Sequence, residues 1–184
     1  MQKNMTKGES KMASKFINYE SVHGVCESTL IRATECGHNY NLVADVDIDN
    51  GSVCKLGAYQ KQDLWTADIP AVEDKVILIY TAPKIYEEYT KRMQEEQFFY
   101  NGAGEAMRGF ELVDTDRFTL STEAFAEGAT LEVGQYVGVT GTDYKLTTLG
   151  TDEPTDRGFY GLIYDIAGNG NYRIIVKRNH PVAW

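Results

Sequence analysis

A closely spaced series of β-type segments and turns occupies residues 131–177, and it constrains the fold more than any other stretch. Enrichment in Val, Ile, Tyr and Thr predicts strands at residues 131–137, 144–149, 159–166 and 172–177. The intervening turns are rich in Gly and Asn, which supply the positive φ angles of tight hairpins. Short strands at this spacing predict a compact antiparallel β-barrel or sandwich.

Composition limits the classes of partner. The chain has 184 residues, of which 42% are hydrophobic, so it can bury a substantial core. Its net charge of −9 disfavours a nucleic-acid partner, which would select clustered Lys and Arg. No apolar run approaches the length of a membrane span, and residues 1–15 lack the apolar core of a secretory signal. The odd cysteine count (Cys26, Cys36, Cys54) favours reduced thiols.

Further β segments precede this stretch. Residues 41–49 alternate apolar and acidic side chains, the pattern of a half-buried strand, and Asn50 and Gly51 then predict a turn. Residues 76–80 are continuously apolar and predict a fully buried strand. Other β-prone segments are residues 21–26, 29–34, 52–57, 110–113 and 117–120, and residues 121–125 predict one short helical turn.

One segment has helical periodicity. Ile85, Tyr89 and Met93 recur at every fourth position after Pro83, which predicts an amphipathic helix over residues 84–100. The predicted fold class is therefore mainly β with a small α insertion: a compact antiparallel β-barrel or sandwich that carries one amphipathic helix. The predicted divisions are a disordered leader (1–14, with Met12 as the native start), an N-terminal arm and first β lobe (15–82), a helical insertion (83–108), a second β lobe (109–179) and a C-terminal tail (180–184).

Candidate metal ligands occur in two places. His23 and Cys26, with Cys36 and His38, could form a tetrahedral zinc site, but the Cys-x-His spacing is shorter than zinc sites use. We therefore predict a buried cysteine and loop histidines instead. Residues 45–49 place Asp at alternate positions like the start of a calcium loop, but the sixth position is Asn and the twelfth is Leu, where that loop needs Gly and Glu.

Catalytic motifs are not apparent. The chain has neither a Gly-x-Ser-x-Gly elbow nor a phosphate-binding Gly-Lys-Ser/Thr loop. We predict that the protein is not an enzyme and needs no cofactor; a pocket that joined Cys26, Cys36 and His38 would argue otherwise. The aromatic side chains of Tyr86, Tyr89 and residues 98–100 have two interpretations, core packing or a binding patch.

Several short patterns resemble one group of proteins. These are Lys-Phe-Ile-Asn-Tyr at residues 15–19 after Met-Ala-Ser, the Asp-Asn-Gly turn with Val-x-Lys-Leu-Gly at residues 49–57, and Asn-Gly-Ala-Gly-Glu at residues 101–105. Ala-Met-Arg-Gly-Phe-Glu-Leu follows, and the β segments of residues 133–176 complete the pattern. Together they resemble the small virion proteins encoded beside the major capsid gene of tailed bacteriophages, and in particular the β modules of capsid decoration proteins.

The resemblance implies a structural role in the virion, on the phage head, after synthesis in the host bacterial cytoplasm. The expected partner is the major capsid protein, the expected state a homo-oligomer on the capsid surface, and no nucleic acid or membrane is expected to bind. Arms and aromatic anchors give small β domains interface area, so the predicted partner contacts are Phe16, Ile17, Tyr19, Tyr86, Tyr89 and Trp184. The alternative is a carbohydrate- or ligand-binding β module of a phage tail or fibre.

Overall fold

The computed structural model describes residues 22–33, 38–83 and 95–182. Their strands form a closed five-stranded barrel and a six-stranded sheet, which confirms the prediction of a mainly β protein that contains a barrel. The strands are β1 (Cys26–Leu30), β2 (Asn39–Val43), β3 (Val53–Lys61), β4 (Leu64–Asp68), β5 (Ile77–Ile79), β6 (Met107–Glu111), β7 (Arg117–Leu120), β8 (Tyr136–Val139), β9 (Leu146–Gly150), β10 (Phe159–Ile166) and β11 (Tyr172–Asn179).

The barrel has the strand order β2-β4-β3-β5-β6, and β6 pairs again with β2 to close it. Strands β2 and β4 run parallel, whereas the other neighbours are antiparallel. The β3–β4 hairpin turns through Gln62 and Asp63, whose φ angles are 52° and 59°. Positive φ at both central residues is the geometry that Asn-Gly pairs favour. Since neither residue is Asn or Gly, the sequence carried no turn signal here, and β4 was not predicted.

The six-stranded sheet has the order β1-β7-β11-β10-β8-β9 with antiparallel pairing throughout. It does not follow the chain, because β1 from the N-terminal part pairs with β7. Asn-Gly and Gly-Asn turns lie where we predicted them: Gly51 and Gly170 each have a φ of +86°. At the turn between β10 and β11, the Gly170 amide donates to Ala167 O at 2.9 Å.

Two hydrophobic cores share strands β3 and β5. Val53 and Leu78 face the larger core beneath the six-stranded sheet, whereas their neighbours Cys54 and Ile77 face the barrel interior. Successive side chains of a strand point to opposite faces, so the part of a strand that lies between two cores is apolar at successive positions. This confirms a fully buried strand within the predicted residues 76–80, although β5 is shorter than predicted and Tyr80 is only half-buried.

Two predicted strands have different bounds from those observed. The alternation of residues 41–49 suggested one strand, but β2 ends at Val43 and Val46 is 50% exposed. Ala44 O instead accepts a hydrogen bond from Gly104 N at 2.7 Å, and Ile48 pairs with Asn101. Ala44 and Ile48 are therefore buried by contacts with a distant loop, not by one continuous strand. Similarly, β8 begins at residue 136 rather than 131, because Gly134 turns the chain with a φ of +93°.

Other predictions near the chain start and the helical segment also changed. One strand, β1, replaces the two predicted at residues 21–26 and 29–34. The predicted amphipathic helix lies mostly outside the described residues, and its last part forms a 3-10 turn at Glu96–Phe98 rather than an α-helix. Phe99 and Tyr100 are buried, which supports core packing for this end of the segment. The short helical turn predicted at residues 121–125 is confirmed as a 3-10 turn at Thr122–Ala124.

Candidate interaction surface

A row of aligned residues crosses the outer face of the six-stranded sheet. The register pairs Tyr136 with Leu162, Leu162 with Ile175, Ile175 with Arg117, and Arg117 with Leu30. Directly paired residues of antiparallel strands share one face of the sheet. We call this set of five residues the cross-sheet row; it brings together five strands from distant parts of the chain.

The cross-sheet row faces away from the core. The residue that follows each row member in the chain is buried in the larger core: Val137 after Tyr136, Ile163 after Leu162, Val176 after Ile175, Phe118 after Arg117 and Ile31 after Leu30. Because side chains alternate between the two faces of a sheet, the row members point outward. Leu30 is 54% exposed, and the other three apolar members are half-buried. The row therefore presents an apolar stripe to its surroundings.

Positive charge accompanies this stripe, although the chain as a whole is acidic. Arg117 and Lys177 are exposed, and within the described ranges neither side chain forms a hydrogen bond or an ion pair. Arg173 is also exposed, but its Nη1 atom lies 2.8 Å from Asp165 Oδ2. Arginine suits contact surfaces, because its planar guanidinium binds carboxylates through several hydrogen bonds while its stem packs on apolar atoms.

An aromatic pair holds one end of the row in place. The rings of Tyr136 and Tyr160 meet edge to face, with centroids 5.8 Å apart. The Tyr160 hydroxyl donates a hydrogen bond to Glu153 Oε1 at 2.9 Å. Burial and the nearby Glu153 carboxylate raise the pKa of Tyr160, so its hydroxyl stays protonated and continues to donate. A side chain that is already fixed loses little conformational entropy when a partner binds.

The predicted metal ligands lie in different surroundings. His23 Nδ1 is 2.7 Å from Asp49 Oδ1, and its ring packs against Tyr100. Cys26 is a buried member of the larger core, whereas the exposed His38 lies 3.6 Å from a carboxylate oxygen of Glu111. Cys36 lies outside the described residues. Among the residues that the structure describes, no three His, Cys, Asp or Glu side chains group as metal ligands do.

Cys26 does not have the properties of a nucleophile. Complete burial, together with the negative charges of Glu27 and Glu96, raises the pKa of its thiol far above the ordinary range. Since the thiolate is the reactive form of cysteine, this thiol is inert at neutral pH. A pocket that joined Cys26, Cys36 and His38 would favour an enzyme. Of the two that the structure describes, Cys26 is buried in the larger core and His38 is exposed, so these two do not line one pocket.

The acidic residues of the calcium-like segment diverge. Asp47 Oδ1 accepts a hydrogen bond from Ala103 N at 2.8 Å. Asp49 instead contacts His23 and, at 3.2 Å, the Nζ atom of Lys145. Burial raises the pKa of Asp49, but the His23 hydrogen bond and the Lys145 charge outweigh it, so the pKa falls below its usual value. These carboxylates therefore stabilise the fold rather than converge on a cation.

The six partner contacts predicted from the sequence all lie outside the described residues: Phe16, Ile17, Tyr19, Tyr86, Tyr89 and Trp184. They stay predictions. The cross-sheet row was not predicted from the sequence, although one signal was available. Strand β10 is apolar at nearly every position, which is typical of a strand buried on both faces, yet only one of its faces lies against the core.

The fold and the cross-sheet row define a mainly β protein with an apolar, cation-flanked outer sheet face. Comparisons with protein-family models, with curated proteins and with solved structures find no match for this chain. Among the described residues, no helix is long and apolar enough to cross a membrane.

Proposed function

We propose that this protein is a structural component of a bacteriophage virion that decorates and stabilises the capsid shell by binding the major capsid protein. The proposal combines the sequence resemblance to capsid decoration proteins with one structural observation, the cross-sheet row. In this proposal the protein works by adhesion, covers joints between capsid subunits, and acts as a homo-oligomer on the phage head. Of the amphipathic helix predicted at residues 84–100, only the part outside the described residues (84–94), with Tyr86 and Tyr89, remains in the proposal as a further contact element.

The cross-sheet row supplies the chemistry that such adhesion needs. Full burial of a large apolar side chain contributes about 1.5–3 kcal/mol relative to exposure, and Tyr136, Leu162, Ile175 and Leu30 are all partly or largely exposed. Arg117 adds a cation for a carboxylate on the partner. Many copies bound to one shell act together, so a modest free energy per copy is sufficient.

The rigidity of the surface also supports an adhesive role. The row lies on a sheet whose other face packs into a continuous core of Phe, Ile, Leu and Val side chains. A surface held by such packing keeps its shape on binding and avoids most of the entropic cost that a mobile loop would incur. The row therefore suits repeated, identical contacts across a symmetric shell.

A binding experiment with two sets of variants tests the proposal. Purified protein is mixed with capsids that lack it, and occupancy is measured by mass spectrometry of the sedimented particles. We expect Leu162→Ser combined with Ile175→Thr to reduce affinity by at least about tenfold, because each change removes roughly 1 kcal/mol of apolar contact. Tyr59→Ser is the matched control, since Tyr59 is 56% exposed on the barrel hairpin, away from the row.

Two results would contradict the proposal in different ways. Failure of the unaltered protein to bind capsids would reject the decoration function. Equal occupancy by the unaltered protein and the row variant would keep the function but reject the cross-sheet row as its contact surface. Equilibrium unfolding of each variant shows whether a loss of binding reflects a loss of folded protein.

A second candidate function is carbohydrate or ligand binding by a phage tail or fibre component. The observation that favours it is the aromatic pair of Tyr59 and Trp65 on the β3–β4 hairpin, whose rings meet edge to face at 5.2 Å. An exposed aromatic ring offers an apolar face on which a sugar can stack. A glycan array distinguishes the two functions. Glycan binding by the unaltered protein that is lost in the Tyr59→Ser variant would support this candidate.

A further inference from the structure

A cleft of about 680 Å³ opens beside the barrel, between the end of β2 and the β3–β4 hairpin. Its volume lies within the range of about 300–1,000 Å³ that is typical of binding pockets. Val46 and Ile69 line it and are 50% and 44% exposed, so they form an apolar part of its rim. Tyr144 also lines the cleft and is held by a hydrogen bond from its hydroxyl to Ala67 O at 2.9 Å.

The charged residues of the cleft are mainly acidic. Asp45 and Asp68 line it and are exposed, and neither carboxylate forms an ion pair with a described residue. Lys61 is the one cation among the described residues that line the cleft. The chemistry of the cleft therefore suits an extended segment that combines large apolar side chains with a positive charge.

A series of contacts links the start of the described chain to this cleft. The His23 amide donates to Gln97 O at 2.8 Å, and the His23 ring contacts Asp49. Asp49 in turn contacts Lys145, the residue next to Tyr144 in the cleft. Extended chain covers about 3.3 Å per residue, so the seven residues before Val22 can span roughly 23 Å.

Residues 15–19 have the complementary chemistry. Their sequence is Lys-Phe-Ile-Asn-Tyr, which places one cation beside three large apolar or aromatic side chains. We propose that this segment occupies the cleft of its own chain, with Phe16 and Ile17 against the apolar rim and Lys15 beside the acidic residues. The occupant is thus defined by its apolar content, its charge and its short connection to Val22.

The inference does not depend on capsid binding, because it concerns the free protein. It gives Phe16, Ile17 and Tyr19 a binding place within their own chain in the free protein, and their predicted role as partner contacts would require them to leave the cleft. It would hold equally if the protein decorated no capsid.

Limited trypsin digestion of the full chain tests the inference. Cleavage after Lys15 needs the surrounding residues to leave the cleft, whereas cleavage after Lys7 does not, so Lys7 is an internal control. We expect cleavage after Lys15 to be at least about tenfold slower, because proteolysis follows the population of the open form. Val46→Lys combined with Ile69→Lys should remove this protection by adding positive charge to an exposed apolar rim.

A matched variant and a dilution series complete the test. Val133→Lys alters a residue that is 55% exposed outside the cleft, and it should leave the protection of Lys15 unchanged. Protection should also be the same at all protein concentrations, since the segment binds its own chain. Equal cleavage after Lys15 and Lys7, protection that persists in the double variant, or protection that disappears on dilution would each overturn the inference; the last would indicate a cleft filled by a second copy.

Discussion

Replacement of Asn179 by alanine should destabilise the protein far more than the loss of an exposed polar side chain. Asn179 ends β11, is only 4% exposed, and connects the six-stranded sheet to the barrel. Its Oδ1 atom accepts a hydrogen bond from Val76 N at 2.8 Å. Its Nδ2 group donates to Val76 O at 2.9 Å and to Leu112 O at 2.7 Å. Val76 immediately precedes β5 and Leu112 immediately follows β6, so one amide holds both barrel strands.

The size of the effect follows from these contacts. A net contribution of about 0.5–1.5 kcal/mol per hydrogen bond gives roughly 3 kcal/mol for the three bonds of Asn179. Alanine would also leave buried backbone groups without partners, which raises the expected loss to roughly 3–5 kcal/mol. Domains of this kind have unfolding free energies of about 5–15 kcal/mol, so the variant would lose a large part of its stability.

Equilibrium urea unfolding, followed by fluorescence and circular dichroism, measures this loss. The matched control is Asn39→Ala, which makes the same chemical change at an exposed strand position and should alter stability by no more than about 0.5 kcal/mol. A loss below about 1 kcal/mol for Asn179→Ala, with the slope of the transition unchanged, would refute the reasoning. It would show that Val76 and Leu112 find other partners once the amide is removed.

Three further predictions concern the cores, a carboxylate and a glycine. Leu78→Ala should cost about 2–5 kcal/mol and preserve a single unfolding transition, because β5 belongs to both cores; two separate calorimetric transitions would contradict this. The pKa of Asp49 is below its usual value in the folded state, so its contribution is present above that usual value and is lost as pH falls. Asp49→Asn should therefore cost about 1–3 kcal/mol at pH 7 and much less near pH 2, as urea unfolding at the two pH values would show. Gly158→Ala should reduce the yield of folded protein, since a Cβ atom there would lie 2.2 Å from Glu73 O; Gly168, with open space around it, is the control.

Local features of the sequence were sufficient to predict several elements. Strands β10 and β11 could be predicted because β-rich segments flank a turn of Gly and Asn, which suits a positive φ at Gly170. Strand β5 could be predicted because a short, continuously apolar run is typical of a strand buried on both faces. In contrast, β4 could not be predicted, because Gln62 and Asp63 adopt the positive φ of a tight turn without the residue types that favour it.

The candidate surface could not be predicted from local patterns. The cross-sheet row depends on the register between Leu30, Arg117 and Ile175, which lie far apart in the chain. No short-range pattern specifies such a register, because pairing is decided by how the apolar faces of all six strands fit together. For the same reason, the strand predicted over residues 41–49 was right only as far as Val43: Ala44 and Ile48 are buried through contacts with residues 101–104, not through one strand.

The sequence by itself determined that this chain is mainly β, where most of its turns lie, and that a strand within residues 76–80 is buried on both faces. These properties depend on residues that are neighbours in the chain. Only the tertiary structure decided the order of the strands, the closure of the barrel, the division of the interior into two cores and the outward face of β10. Those properties depend on contacts between distant residues, since each strand takes the position in which its apolar side chains cover the apolar surface of its partner strands.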